Sequence, residues 1–215
     1  MLRPIPKWER IQPLMPSIED KTVLETGCSC GFFSLNFCTL GASSVTGIDI
    51  VESNIEKATF CATVLQLSTV VFSVGDVGLY RKKHDVVFMT SVFEHFIYPF
   101  YYLTRLLCLA REMLVIDTYH RASDDEDRLC RLNVEYLASS SLQGHTFVSN
   151  FSYYFSKKML MDFLAIVGVG QDQIEQKLFF DDSMNRRYLT CIHTRKFQQD
   201  RRFNPWIQQF RDIEE

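Results

Sequence analysis

From residue 21 onward, short apolar runs alternate along the chain with segments of helical periodicity. Strands are predicted in "TVLET", "SVTGIDI", "TVVFSV", "DVVFMTS" and "EMLVIDTY". Helices are predicted over residues 31–40, 52–67 and 99–111, in three of the four intervals between those strands. Strands joined in this way pair in parallel through right-handed crossovers. The order therefore predicts a parallel sheet built from strand–helix–strand units.

The C-terminal third adds one more helix and two further strands. A helix is predicted over residues 156–167, and the strand-like runs "QIEQKLFF" and "RYLTCIHTR" follow it closely. Because these two runs sit close together in the chain, they are expected to form an antiparallel hairpin at one edge of the sheet. The predicted fold class is therefore α/β, with seven mostly parallel strands and an antiparallel edge hairpin.

The length of 215 residues favours one domain with a single core. We expect residues 1–215 to form that domain, with a cap over residues 1–20, an insertion over residues 118–155 and a helical tail over residues 197–215. The cap holds four prolines, which favour only a short helix over residues 8–14. The insertion is polar and aromatic, and a connection of that length usually covers a functional site.

Charge and composition narrow the class of protein. The formal net charge of -3 and the pI of about 6.0 provide no general field for attracting phosphate backbones, so nucleic acid is not the default partner. The N-terminus lacks the apolar core of a signal peptide, and no apolar run reaches the roughly 20 residues that span a bilayer. A cytoplasmic protein is therefore expected. The seven cysteines lack paired CxxC spacing, so neither a disulfide framework nor a metal site is predicted.

In the run "VLETGCSCGFFS" the first predicted strand ends at Glu25 and Thr26, and Gly27 and Gly31 flank a turn that leads into a helix. Glycines permit a tight turn and a helix N-terminus presents unpaired N–H groups, so this corner indicates a nucleotide-like ligand. Asp49 ends the next strand 18 positions after Gly31, close to the roughly 20-residue spacing of an acidic residue that binds ribose hydroxyls. Asp76 and Val77 follow the third strand, where a carboxylate and a backbone group can contact an adenine ring.

Each of these residues also has a structural interpretation. Gly31 can serve only to let the helix pack near the sheet, Asp49 can cap the helix that begins at "ESNIEKA", and Asp76 can be a turn residue. Their order along three consecutive strand ends favours the ligand-binding interpretation.

With these motifs, the sequence resembles the class I S-adenosylmethionine-dependent methyltransferases. "VLETGCSCG" is similar to their first motif, with Glu25 in the acidic position and Ser29 replacing the middle glycine; "GIDI", "GDV" and "FMTSVFEHF" are similar to the second, third and fourth. The resemblance implies a Rossmann-like, doubly wound sheet and S-adenosylmethionine as the cofactor. The cofactor-binding residues that it implies are Glu25, Gly27, Cys28, Ser29, Gly31, Asp49, Ile50, Asp76, Val77 and Ser91.

Within that family, "GCSCGFFS" most resembles the subgroup of the tRNA wobble-uridine carboxymethyltransferases. Those enzymes use a carboxylated S-adenosylmethionine and carry a tyrosine before the histidine of the fourth motif to hold the extra carboxylate. Glu94 stands at that position here. Two carboxylates 4 Å apart repel by about 1 kcal/mol even in water, so ordinary S-adenosylmethionine is the predicted methyl donor.

Methyl transfer depends mainly on alignment of the acceptor with the methyl group, and a general base assists where the acceptor carries a proton. The candidate catalytic residues are His95, Glu94 and His120. His95 follows the fourth strand, and its alternative role is a packed histidine bonded to backbone. His120 borders the insertion, where a solvated loop residue is the alternative.

The insertion supplies the candidate acceptor pocket, for which we select Tyr119, Asn150, Tyr153 and Tyr154. Its aromatic residues can enclose a flat or apolar acceptor, or they can be ordinary core beneath a long loop. The tail has Trp206, Ile207 and Phe210 at helical spacing, which indicates an amphipathic helix that docks on this domain or on a second subunit.

Three function classes remain open from the sequence. The favoured one is methylation of a small-molecule acceptor at oxygen or nitrogen. The second is a tRNA- or other RNA-modifying methyl- or carboxymethyltransferase, which a basic stripe leading to the pocket would favour. The third is a noncatalytic protein of the same fold that binds the cofactor.

Overall fold

The computed structural model describes residues 4–119, 130–134, 151–180 and 186–195. Fourteen regular helices and strands are formed within these ranges, together with short 3-10 turns. In chain order they are α1 (Pro4–Ile11), β1 (Thr22–Thr26), α2 (Phe32–Thr39), β2 (Ser44–Asp49), α3 (Glu52–Val64), β3 (Val70–Val74), β4 (His84–Thr90), α4 (Pro99–Leu109), β5 (Ala110–Tyr119), β6 (Cys130–Val134), β7 (Phe151–Phe155), α5 (Lys157–Ile166), β8 (Ile174–Phe180) and β9 (Arg186–His193).

The main sheet has seven strands in the order β3-β2-β1-β4-β5-β9-β8. The first five pair in parallel, and β9 pairs antiparallel with both β5 and β8. The predicted α/β fold with an antiparallel edge hairpin is confirmed. The chain reverses direction across the sheet between β1 and β4, which creates the crevice where doubly wound sheets bind their ligands.

Alternation along each central strand places the core on both faces of the sheet. Leu24 belongs to the cluster that α4 and α5 cover, whereas its neighbour Val23 belongs to the cluster that α1 and α2 cover. Val87 and Phe88 of β4 divide in the same way between the two clusters. Strands buried on both faces explain why these sequence runs are almost continuously apolar.

The N-terminal helix begins earlier than the sequence predicts. α1 spans Pro4–Ile11 and is followed by a 3-10 turn at Gln12–Leu14, rather than a helix over residues 8–14. Proline is tolerated in a first helical turn, because the N–H that it lacks has no intrahelical partner there. Trp8 then packs edge-on against Phe33, with ring centroids 5.5 Å apart.

The insertion contains a two-stranded sheet that the sequence patterns did not indicate. β6 pairs antiparallel with β7, and Leu132 lies opposite Tyr153. Their pairing joins runs that are separated by residues 135–150, so no short turn motif marks it.

A buried ion-pair group fastens α1 and β9 to β5. Asp117 is fully buried, and its two carboxylate oxygens accept hydrogen bonds from Arg187 Nε at 2.7 Å and Nη2 at 2.9 Å. Lys7 Nζ lies 2.5 Å from Asp117 Oδ2. Burial alone would raise the pKa of Asp117, but the two cations and their hydrogen bonds outweigh it and lower that pKa. Asp117 is therefore ionised across the neutral range.

Replacing Asp117 with asparagine should lower the free energy of unfolding by about 3–5 kcal/mol at neutral pH, because two buried cations lose their shared carboxylate. Urea titration measures this loss. Glu112→Gln is the control, since Glu112 pairs with Lys21 and Arg195 at a more exposed position and should cost at most about 1 kcal/mol. Equal, small losses in the two variants would contradict the assigned role of Asp117.

Candidate functional site

The turn after β1 approaches the loop after β4 so closely that a side chain is excluded. Gly27 has φ of +66°, and a Cβ added there would lie 2.4 Å from Val92 Cγ2. Gly31 has φ of +78°, and its Cβ would lie 2.8 Å from the Cβ of Ala58. The packing interpretation of Gly31 thus has direct support, while Gly27 opens space at the carboxyl end of β1.

Asp49 is held at the end of β2 by two backbone groups. Its Oδ2 accepts a hydrogen bond from Ser29 N at 2.8 Å, and its Oδ1 accepts one from Val51 N at 2.9 Å. The N-cap of α3 is Val51, so Asp49 is not the capping residue itself. Each carboxylate oxygen has a further acceptor position, which allows Asp49 to bind two neighbouring hydroxyls.

Asp76 is fixed beside an aromatic wall. Its Oδ1 accepts from Gly78 N at 2.8 Å, as in a turn, and its Oδ2 accepts from the Tyr102 hydroxyl at 3.1 Å. Burial and then the nearby Asp76 carboxylate raise the pKa of Tyr102, so the phenol stays protonated and donates. The Tyr102 ring stacks on Phe96, with centroids 4.0 Å apart.

These groups surround one cleft at the carboxyl ends of the parallel strands. It has about 740 Å³ of unfilled space, counting the part open to solvent. The residues that the sequence selected and that line the cleft are Gly27, Ser29, Asp49, Ile50, Asp76, Val77 and His95. The lining residues that sequence reasoning missed are Ile48, Val51, Asn54, Gly75, Val92 and Phe96. Most of the missed residues are neighbours in sequence of a selected one. Their positions at strand ends are therefore the sequence feature that could have predicted them.

Glu25 lies beneath the glycine turn and does not line the cleft. Its Oε2 accepts a hydrogen bond from Ser34 Oγ at 2.5 Å. Burial raises the pKa of Glu25 from 4.5 to about 8, and the hydrogen bonds with Ser34 offset this only in part. Glu25 is therefore mostly protonated at pH 7. Cys28 is also buried outside the lining, where its N–H donates to the Ile48 carbonyl at 3.0 Å.

Ser91 and Glu94 join the buried ion-pair group instead of the cleft lining. Ser91 has φ of +49°, and its Oγ accepts from Lys7 Nζ at 2.6 Å and from Arg187 Nη2 at 2.8 Å. Glu94 is 8% exposed; its Oε1 lies 3.9 Å from Arg187 Nη2, and its Oε2 has no hydrogen-bond partner among the described residues. No sequence motif indicates Lys7 or Arg187, because their roles depend on contacts between distant segments.

The remaining predicted residues are only partly described. Tyr119 ends β5, and Tyr153 and Tyr154 lie in β7, where the backbone alone is described. His120, Asn150 and the tail over residues 197–215 lie outside the described residues. Their predicted roles remain predictions.

Within the described ranges, His, Cys, Asp and Glu side chains form no group suited to hold a metal ion. The helices described are also too short or too polar to cross a membrane. The cleft is formed by strand-end carboxylates, backbone N–H groups and apolar walls. A cleft of this kind, at the switch point of a doubly wound sheet, belongs to the nucleotide-binding class.

Comparison with known proteins identifies the family within that class. A family described as "Methyltransferase domain" matches residues 18–168, well over half of the chain. The chain belongs to this methyltransferase family. The resemblance to class I S-adenosylmethionine-dependent methyltransferases is confirmed, and S-adenosylmethionine as cofactor is confirmed with it.

Curated relatives match part of the chain. The tRNA U34 carboxymethyltransferase of Cellvibrio japonicus is 31% identical over 121 residues, which are 52% of this chain and 37% of that protein. The tRNA U34 carboxymethyltransferase of Pseudomonas fluorescens is 30% identical over 147 residues, 62% of this chain and 45% of that protein. The matches thus span less than half the length of these relatives.

Solved structures share the fold at low identity. The N-terminal domain of EvdMO1, solved with SAH and D-fucose, has a TM-score of 0.68 and 16% identity, covering 86% of this chain and 81% of that one. Magnesium protoporphyrin IX methyltransferase from Synechocystis PCC 6803, solved with SAM, has a TM-score of 0.60 and 17% identity, covering 81% of this chain and 71% of that one.

The buried carboxyl group of Glu25 predicts a pH-dependent stability. The pKa of Glu25 is raised above its unfolded value, so its contribution to stability is complete below pH 4.5 and is lost as pH rises towards about 8. Across that window the wild type should lose stability relative to Glu25→Gln by about 1.4 kcal/mol per pH unit. Urea unfolding at several pH values measures the difference. Glu19→Gln, at an exposed position, is the control, and parallel profiles for wild type and Glu25→Gln would contradict the assignment.

Proposed function

We propose that this chain transfers a methyl group from S-adenosylmethionine to a small-molecule acceptor, at oxygen or nitrogen. The observation that carries the proposal is the cleft, in which a glycine turn and two strand-end carboxylates, Asp49 and Asp76, face one space. A backbone held open at Gly27 and carboxylates with spare acceptor positions fit an adenosine group. Bound S-adenosylmethionine supplies an electrophilic methyl group on a sulfonium.

The residues of the cleft then have separate tasks. Asp49 accepts from the ribose hydroxyls, while Asp76 and the Val77 backbone bind the adenine edge. Phe96 and Val92 exclude water from the apolar side of the cleft. His95 lines the same cleft, and a ring nitrogen of His95 can take the proton of an acceptor hydroxyl or ammonium.

A second hollow supports an apolar, flat acceptor. It begins at Ile97, directly after the cleft residues His95 and Phe96, and its walls are mostly aromatic. Its lining residues are Ile97, Tyr98, Pro99, Phe100, Tyr101, Phe155 and Met159. Phe155 comes from β7, so the insertion contributes to this wall, in line with its predicted role at the acceptor site. Aromatic walls bind planar apolar groups through stacking and edge contacts.

The charges around Glu94 support ordinary S-adenosylmethionine over its carboxylated form. Two buried cations, Lys7 and Arg187, already face two buried carboxylates, Asp117 and Glu94. Among the described residues this group is balanced in charge, and a further carboxylate beside it would leave an uncompensated negative charge in a poorly solvated region. Glu94 thus already supplies the negative charge opposite Arg187 that the extra carboxylate of the carboxylated donor would otherwise supply.

A tRNA-modifying carboxymethyltransferase is the second candidate. The matches to tRNA U34 carboxymethyltransferases favour it. It requires the carboxylated donor, so the preference of the protein for one donor separates the two candidates.

Competition calorimetry between the two donors makes the first test. Wild-type protein should bind carboxylated S-adenosylmethionine no more tightly than the ordinary form. Glu94→Gln should improve the relative affinity for the carboxylated donor by about tenfold, because it removes one charge opposite Arg187. Glu52→Gln, which changes an exposed carboxylate outside the cleft, should leave the ratio unchanged. A clear wild-type preference for the carboxylated donor would instead support the tRNA-modifying candidate.

Incubation of cell extracts with methyl-labelled S-adenosylmethionine tests the acceptor class. Label should enter the small-molecule fraction with wild-type protein and should be lost with Asp76→Ala, which removes a contact to the donor. Label in the RNA fraction would contradict the small-molecule proposal. Donor binding without any labelled product would assign the chain to the noncatalytic class.

A further inference from the structure

One long stretch of the chain is both uncharged and exposed. Residues 58–74 contain no charged residue, although 23% of the whole chain is charged. The stretch runs from the middle of α3 through β3, at the edge of the sheet. Its exposed large apolar side chains, each at least half exposed, are Phe60, Val64, Leu65, Val71 and Val74. Apolar patches of a few hundred Å² on a surface are typical of interaction sites.

In the part of the chain that the structure describes, no long helix between β3 and β4 covers the sheet face on which Val71 lies. The connection from β3 to β4 covers only residues 75–83 and holds a single 3-10 turn, Val77–Leu79. A helix of several turns in that crossover would pack across the sheet face, and here Val71 is left 63% exposed. The short crossover therefore explains why apolar surface remains at this edge.

β3 is an edge strand of the sheet, and no described strand pairs with its backbone on the side away from β2. Val45 N donates to the Thr69 carbonyl, and Gly75 N donates to the Asp49 carbonyl. The backbone N–H and C=O groups of the odd-numbered residues in 69–75 therefore point towards β2. The peptide groups of Val70, Phe72 and Val74 consequently face outward. Natural edge strands are usually protected from pairing by charges, proline or bulges, and β3 contains no charged residue or proline.

We propose that β3 pairs antiparallel with β3 of a second copy of this chain, across a two-fold axis at Phe72. This register makes hydrogen-bonded pairs of Phe72 with Phe72 of the partner subunit and of Val70 with Val74 of the partner subunit. Val71 then faces Ser73 of the partner subunit at the closer, non-hydrogen-bonded spacing. The two sheets join into one continuous sheet.

The uncharged, apolar surface of residues 58–74 is suited to pairing with the same surface of a second copy. A two-fold interface brings identical surfaces together, so any charge near the axis would meet its like, and residues 58–74 carry none. An axis perpendicular to the sheet also keeps both copies of α3 on the same face. Phe60 and Val64 of α3 then extend the buried area beyond the paired strands.

The C-terminal segment of the same chain is a poorer match for this edge. Residues 196–215 include eight charged residues, and they follow β9, which is separated from β3 by four strands in the sheet order. Charged residues laid along an uncharged apolar edge would lose hydration without gaining partners.

Sedimentation equilibrium of the full chain tests the pairing. Wild-type protein should show a concentration-dependent monomer–dimer equilibrium. Val71→Lys should raise the dimer dissociation constant by about tenfold or more, because it places a cation in an apolar interface. Adding Ser73→Asp to that variant should restore the dimer, since each introduced lysine then faces an introduced aspartate across the axis. Ile166→Lys, at a 69% exposed position on α5, is the matched control and should leave the dimer intact.

Urea unfolding of every variant confirms that the fold is intact, since Val71 and Ser73 are both exposed. A wild type that stays monomeric at all concentrations would overturn the proposal. So would a dimer whose dissociation constant is unchanged by Val71→Lys, or a Val71→Lys variant that Ser73→Asp fails to restore. A dimer that is lost on deleting residues 197–215 but insensitive to Val71→Lys would assign the interface to the tail instead.

Discussion

The architecture around the cleft depends on one buried carboxylate. Asp117 can remain ionised inside the protein only because Lys7 of α1 and Arg187 of β9 neutralise it. These contacts fix the N-terminal helix and the antiparallel strand against β5. Both cations also donate to Ser91, which orients the loop after β4. That loop carries Val92, which limits the space beside the glycine turn. The position of the cleft wall at Val92 thus depends, through Ser91 and the two cations, on the buried charge of Asp117.

Four acidic residues that the sequence motifs indicate for the site lie at or after strand ends, and the protein uses them in two ways. Asp49 and Asp76 accept backbone hydrogen bonds, line the cleft and keep acceptor positions for a ligand. Glu25 and Glu94 are buried outside it, where one is mostly protonated and the other faces Arg187. A position at a strand end brings a residue near the cleft. The local backbone conformation then determines whether its side chain lines the cleft or is buried beside it.

Local patterns predicted the succession of strands and helices along the chain and most element boundaries, because alternation and helical periodicity are properties of neighbouring residues. They also predict that Asp49 and Asp76 lie at one edge of the sheet, where the structure has them. They could not show that Lys7 meets Asp117, since nothing in either segment specifies a partner so distant in the chain. The early start of α1 and the β6–β7 pair were missed for related reasons. Proline in a first turn and strands without a short turn give weak local signals.

We propose that the strand-end carboxylates bind the adenosine part of S-adenosylmethionine. Titration calorimetry with S-adenosylhomocysteine tests it directly, by comparing wild type with Asp49→Ala and with the exposed control Glu52→Ala. Asp49→Ala should weaken binding by about one to two decades, the loss expected for charge-assisted hydrogen bonds of roughly 1.5–3 kcal/mol. Glu52→Ala should bind as wild type does. Unchanged affinity in a folded Asp49→Ala variant would contradict the account.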